Sequence, residues 1–259
     1  MIVDAHVHIS DNGSWFNTDL KADPLLLLER MDTSEISRAL ILPTFGNCSN
    51  ETVAKVCNDH PERFIGFATF DVHNITKTKE DMKAAKSYHN LKGIKLHPRF
   101  QKFSPVDEKV FPVYEKAEEF GWPIIFDGLS NSPVIPMRKL TPDNYDLLTK
   151  RFKELKIIIA HLGGQRYWDA YWIARANKNV YLDISYIFEF YQSLPHVLEE
   201  FRYIMETLDE KLIYGSDFPS CDPKKYFDLV NNNMSHLSSL KKDNILSKNI
   251  SKILDLSNA

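Results

Sequence analysis

The stretch Ile2-Val3-Asp4-Ala5-His6-Val7-His8 decides how this chain is read. An apolar run leads directly into two histidines. Side chains in an extended strand alternate between faces, so His6 and His8, two apart, point the same way. The pair then stands side by side at the C-terminal end of a strand. Neutral imidazole is the commonest metal ligand, and such a pair supplies half of a tetrahedral or five-coordinate site. The plainer reading is two polar residues that happen to close a strand. Val7 between them and the apolar flank argue against the remnant of a histidine tag.

Short apolar runs of the same kind recur down the chain. Residues 2–8, 38–42, 64–69, 91–96, 123–127, 157–161, 180–184 and 212–214 read as strands. Their spacing of about 25–35 residues suits one strand plus one crossover helix. Continuous runs such as Ile157-Ile158-Ile159-Ala160 fit strands buried on both faces, as in parallel sheets. Helical patterns fill the gaps, at 23–30, 49–59, 79–88, 107–120, 142–155, 167–176, 195–208, 223–231 and 243–256. In the last, Ile245, Leu246, Ile250, Ile253 and Leu254 recur at helical spacing. Strand–helix alternation repeated eight times predicts an α/β fold closed as a (β/α)8 TIM barrel, one domain over residues 1–259. An open doubly wound sheet is the alternative, but its Gly-rich first turn is missing, since the first strand ends in histidines. The longest irregular piece, residues 128–141, is a candidate lid or substrate loop.

Composition narrows the function. The chain has 259 residues, near the ~250 of a single barrel. A net charge of −3 offers no basic field for nucleic acid. No apolar stretch approaches the ~20 residues of a membrane span, and the first residues carry no signal-peptide pattern. The three cysteines, Cys48, Cys57 and Cys221, are odd in number and lack Cys-x-x-Cys spacing, so a reducing compartment is expected. These features predict a soluble cytoplasmic protein with no nucleic-acid or membrane partner, and a homodimer is the base-rate expectation.

Active-site residues of such barrels come from the C-terminal ends of different strands. Strand one ends in His6 and His8. Strand four runs Gly93-Ile94-Lys95-Leu96-His97-Pro98, with Lys95 and His97 on one face. Strand five ends in Asp127, strand six in His161, and strand eight leads into Asp217. Any one of these is explained by a helix cap or loop polarity. Five strand ends doing so together point to a site. Arg99, Arg138 and Arg166 follow strands four to six and are candidates to grip a carboxylate. Phe188 and Tyr191 follow strand seven and are candidates for a pocket wall.

Four segments carry a family resemblance: Asp4-Ala5-His6-Val7-His8, Gly93-Ile94-Lys95-Leu96-His97-Pro98, Ala160-His161-Leu162-Gly163-Gly164, and Tyr214-Gly215-Ser216-Asp217-Phe218-Pro219. In this order they resemble the amidohydrolase 2 group of the amidohydrolase superfamily, which includes aminocarboxymuconate semialdehyde decarboxylase-like enzymes. The resemblance implies a (β/α)8 barrel with a divalent metal in its mouth, usually zinc. It implies that His6, His8 and Asp217 bind that metal. It also implies that Asp217 accepts a proton from water on it. His161 is implied as catalytic acid/base or as ligand to a second metal. The family usually has histidine at the end of strand five, where this chain has Asp127. Asp127 is expected to replace it as a metal ligand, since a carboxylate can also ligate zinc, and its added charge shifts preference towards manganese or magnesium. Lys95, His97 and Arg99 are the expected substrate-binding groups. The leading reaction is hydrolysis of an ester, lactone or amide-type bond. The alternatives are non-oxidative decarboxylation of an aromatic or unsaturated acid, or a noncatalytic ligand-binding relative.

Overall fold

A computed structural model describes residues 1–87 and 89–256 of the chain. Eight parallel strands alternate with helices: β1 Val3–Val7, β2 Arg38–Ile41, β3 Phe64–Gly66, β4 Ile94–Leu96, β5 Ile124–Phe126, β6 Ile157–Ile159, β7 Val180–Asp183 and β8 Leu212–Ile213. The hydrogen-bonded ladders form two arcs, β1-β2-β3 and β4-β5-β6-β7-β8. Two seams join them into a ring. Ala68 bridges Ile94, with Lys95 N donating to Ala68 O at 2.8 Å. Val7 bridges Phe218, with Ala5 N donating to Tyr214 O at 2.9 Å. This is the predicted (β/α)8 barrel.

Alternation along the strands sorts their side chains. Val3, Ala5, Leu40, Ile65, Phe67, Ile125, Ile158 and Ile213 fill the interior of the ring. Ala39, Ile41, Ile94, Leu96, Ile124, Phe126, Ile157 and Ile159 face outward onto the helices. Both sets are buried, which is why these strands read as unbroken apolar runs. The helices are α1 Pro24–Thr33, α2 Asn50–Asp59, α3 Ile75–Ser87, α4 Phe111–Phe120, α5 Asp143–Arg151, α6 Tyr167–Ala176, α7 Ile187–Tyr191, α8 Pro195–Thr207, α9 Pro223–Asn233, α10 Ser239–Asp243 and α11 Asn249–Ile253. Asp23 caps α1 with Pro24 in its first turn, and Ser49 caps α2 by accepting from Thr52 N. Ile250 and Ile253 of α11 close the bottom of the interior.

Some boundaries differ from expectation. The helix expected at 79–88 begins earlier, at Ile75, and its last expected residue, Tyr88, lies outside the described residues. The closing helix starts at Ser239 and passes through a π-helical turn at Asn244–Lys248 before α11. Helix α7 was not foreseen, because its five residues Ile187–Tyr191 are too few to show a period. Among the described residues, no helix is long and apolar enough to cross a membrane.

Candidate active site

The His6–His8 pair reaches the rim through a break in the strand. Val3 and Ala5 face the interior, so unbroken alternation would turn His6 outward. Between Asp4 and Val7 the chain advances three residues while β2 advances two, from Ala39 to Ile41. This bulge re-aims the side chains that follow it. Val7 returns to the outer layer, and His6 and His8 both face the mouth. Gly215 leaves room for this turn: a Cβ there would lie 2.6 Å from His6 Cβ.

The ends of β1 and β8 are fastened to each other. Asp4 Oδ1 accepts from His6 N at 3.1 Å and from Ser216 N at 2.8 Å. Asp217 N donates to His6 O at 2.8 Å, and His8 N to Phe218 O at 2.8 Å. Burial pushes the Asp4 carboxyl up to about 7, and its Oδ2 has no hydrogen-bond partner among the described residues. Asp217 is thereby delivered to the imidazoles: its Oδ1 lies 3.3 Å from His8 Nε2 and 3.5 Å from His6 Nε2.

The outer nitrogens of both imidazoles are occupied. His8 Nδ1 lies 2.6 Å from Leu42 O, and His6 Nδ1 lies 2.6 Å from Asp183 Oδ2. A carbonyl and a carboxylate only accept, so both Nδ1 atoms carry the proton. Their Nε2 atoms then present lone pairs, 3.2 Å apart and beside a carboxylate oxygen. Three electron-rich atoms at such spacing repel one another unless a positive charge lies among them, so this donor set suits a divalent cation. His161 belongs to the same cluster: ligand atoms of His6, His161 and Asp217 all lie within 4.8 Å of one another. Burial, and next the nearby Lys95 charge, press the His6 imidazole down to about 4, which keeps it neutral. Burial works to raise the Asp217 carboxyl. The surrounding imidazoles outweigh it and hold the group below the usual carboxylate range.

His161 occupies strained backbone. His161, Leu162 and Gly163 follow one another with φ of 55°, 54° and 81°, in the left-handed region that side chains disfavour. A Cβ on Gly163 would lie 2.5 Å from Ala170 Cβ, so the turn sits tight against α6. Asp217, at φ 70°, is also left-handed. Such strain concentrates at functional sites, where the surroundings enforce it. Here Asp183 Oδ1 accepts from His161 N at 3.3 Å, and His161 Nδ1 lies 3.0 Å from Ser185 Oγ and 3.1 Å from Ser185 O.

Lys95 is fully buried in the ring, with Nζ 3.2 Å from His6 Nε2. Burial lowers its pKa, against the raising fields of Asp183, Asp127 and Asp217. His97, on the same face, stacks on Phe100 at 5.5 Å, and its Nδ1 has no partner among the described residues. Arg99 Nε donates to Asp127 Oδ2, and Asp127 Oδ1 lies 3.7 Å from His161 Nε2. Asp127, expected as a metal ligand, thus stands on the rim with its carboxylate engaged by Arg99 and beside His161, and it is not in the group formed by His6, His161 and Asp217.

Aromatic rings cover the mouth. Trp15 stacks on His8 at 4.8 Å, Phe16 meets Phe100 edge-on at 6.3 Å, and Tyr186 lies 6.2 Å from His161. Phe188 is fully buried against Phe201, and Tyr191 packs on Tyr167 and Phe201, so the expected wall role passes to Tyr186. Arg138 and Arg166 are exposed, and Arg166 pairs with Asp169. The 128–141 loop lines a groove of about 520 Å³ with Lys102, Phe103 and Val106, and none of the rim histidines faces that groove.

Asp183 and Ser185 were missed in the sequence. An acid closing the apolar run Val180-Tyr181-Leu182 was the available signal, by the same rule that picked out Asp127.

The amidohydrolase family model, Amidohydro_2, matches residues 3–256. No curated protein sequence matches the chain. A TIM-barrel protein of Bordetella bronchiseptica superposes with a TM-score of 0.85 at 17% identity, covering 98% of each chain. A manganese complex of 5-carboxyvanillate decarboxylase from Novosphingobium aromaticivorans gives 0.74 at 13% identity, covering 99% of this chain and 96% of that one. A probable 2-pyrone-4,6-dicarboxylic acid hydrolase from Acinetobacter baumannii gives 0.71 at 16% identity, covering 98% and 99%. With the family's motifs assembled on one rim and its model matched over nearly the whole length, the chain belongs to the amidohydrolase 2 family.

Proposed function

We propose that this chain is a metal-dependent hydrolase of an ester, lactone or amide-type bond in a small molecule. One observation carries the reading: a buried carboxylate oxygen of Asp217 stands 3.3 Å and 3.5 Å from two imidazole nitrogens whose lone pairs face it. His6, His8 and Asp217 would hold the metal, with His161 beside them. The family uses a divalent metal, and imidazoles plus one carboxylate suit zinc, with manganese or magnesium as alternatives. Such a cation supplies Lewis acidity and makes water nucleophilic at neutral pH. The free Asp217 oxygen takes the proton of attacking water and passes it to the leaving group. His161, held by Ser185, faces the developing negative charge. Arg99 and His97 orient the substrate at the rim, with Asp127 fixing the Arg99 head. Lys95 sets a positive field beneath it. The test is a library of esters, lactones and amides assayed with zinc or manganese restored. Asp217→Asn should lose at least about 100-fold in kcat, in the range of a removed general base. Unchanged turnover would refute the role.

A second reading is decarboxylation of an aromatic or unsaturated acid. The Trp15, Phe16 and Phe100 rings beside Arg99 favour it, because they suit a planar acid. Carbon dioxide release without incorporation of oxygen from labelled water would select this reading over hydrolysis. A noncatalytic relative would bind substoichiometric metal even after reconstitution.

A further inference from the structure

We propose that Asp183 is a positioning residue that fixes His6 in its Nδ1–H tautomer and so keeps the Nε2 lone pair turned to the mouth of the barrel. The inference rests on the reading that His6 Nε2 serves a cation, and it names the residue that makes this possible. Asp183 is fully buried at the end of β7. Its Oδ2 lies 2.6 Å from His6 Nδ1. Its Oδ1 accepts from Ser185 N at 2.8 Å, from His161 N at 3.3 Å, and from the Ser185 hydroxyl. Three donors on one oxygen prevent the carboxylate from turning over.

Two independent contacts agree on where the His6 proton lies. Lys95 Nζ lies 3.2 Å from His6 Nε2, and an ammonium group only donates, so Nε2 accepts. Ser185 Oγ gives its single proton to Asp183, so the lone pairs left on it face His6 Nδ1 at 2.9 Å and His161 Nδ1 at 3.0 Å. Both imidazoles are therefore protonated on the side facing β7 and bare on the side facing the mouth.

The asymmetry makes the outcome of one isosteric change determinate. In Asp183→Asn the amide oxygen stays with the three donors, and the NH2 group replaces Oδ2 opposite His6 Nδ1. Two N–H groups cannot face each other there. That repulsion outweighs the one acceptor left near Nδ1, Ser185 Oγ, and the proton shifts to Nε2, where Asp217 Oδ1 accepts it and the Lys95 ammonium turns aside. There it blocks the lone pair, the same logic by which an aspartate holds a catalytic histidine's tautomer in proteases.

The test uses the full chain labelled with 15N histidine and treated with chelator, with His6 identified by comparison with His6→Gln. In the wild type, His6 should show a protonated Nδ1 and a bare Nε2. In Asp183→Asn the two 15N shifts should exchange, and zinc affinity by chelator competition should fall 10–100-fold, the usual cost of a lost outer-sphere partner. A wild-type His6 carrying its proton on Nε2 would overturn the proposal even if the variant fails to fold. So would an Asp183→Asn protein with tautomer and zinc affinity unchanged. A wild-type chain with the Nδ1–H tautomer that takes up no zinc supports the assignment of Asp183 and overturns the metal reading instead.

Discussion

His6 Nε2 and Asp217 Oδ1 stand 3.5 Å apart, although one belongs to the first strand and the other follows the last. Only closure of the ring brings them together, through the Val7–Phe218 bridge and the Asp217 N–His6 O hydrogen bond. Fold and site therefore depend on the same seam.

That seam has little spare room. A methyl group on Gly215 would sit 2.6 Å from His6 Cβ and 3.1 Å from His6 N, so His6 must shift. Gly215→Ala is expected to cost about 1–3 kcal/mol, as overpacked cores do, and to weaken zinc binding more than an alanine change elsewhere in the barrel wall. Urea denaturation and chelator competition measure the two effects. A variant with normal zinc affinity would show that the rim tolerates movement of His6.

The Arg99–Asp127 pair places a guanidinium against a buried carboxylate beside the histidine cluster. Asp127 is nearly fully buried, whereas Arg99 keeps about a fifth of its side chain in water. Arg99→Ala leaves a buried carboxylate without its cation. The expected loss is about 3 kcal/mol, at the lower edge of what breaking a buried pair costs, because Arg99 is partly exposed. Adding Asp127→Asn should recover most of it, because the unpaired charge is then gone. Equal stability of wild type and Arg99→Ala would contradict the pairing.

Much of this arrangement was legible in the sequence. Buried parallel strands appear as unbroken apolar runs, and an ionisable residue ending such a run is conspicuous. That is how His6, His8, Asp127, His161 and Asp217 were found, and the barrel assembles them on one rim. The bulge at β1 was not legible, because alternation from His6 to His8 looks the same with or without an extra residue before it. Asp183 was passed over because Ile184 extends the apolar run beyond it and hides the strand's end. The ring contacts of Trp15 and Phe16 come from an exposed loop without hydrophobic period, which no pattern places over the mouth.

One buried and one half-buried thiol give a pH dependence away from the site. Burial pushes Cys48 and Cys57 up to about 12 from the ordinary 9.0. Between these values the unfolded chain has lost the protons that the folded chain keeps, so stability falls as pH rises above 9. Denaturant midpoints measured from pH 8 to 10.5 should decline, and the decline should lessen in Cys48→Ala. At pH 8, Ellman's reagent should not label the buried Cys48 in minutes until denaturant is added, read in a Cys57→Ser background. Rapid labelling of Cys48 in the native chain would contradict its burial.

The decisive measurement is a crystal structure of the zinc-loaded chain, with the ion located by its anomalous signal. The ion should lie among His6 Nε2, His8 Nε2 and an Asp217 oxygen, about 2.0–2.2 Å from each. Zinc at a surface carboxylate, with His6 and His8 left unligated, would contradict the metal centre and the chemistry assigned to it.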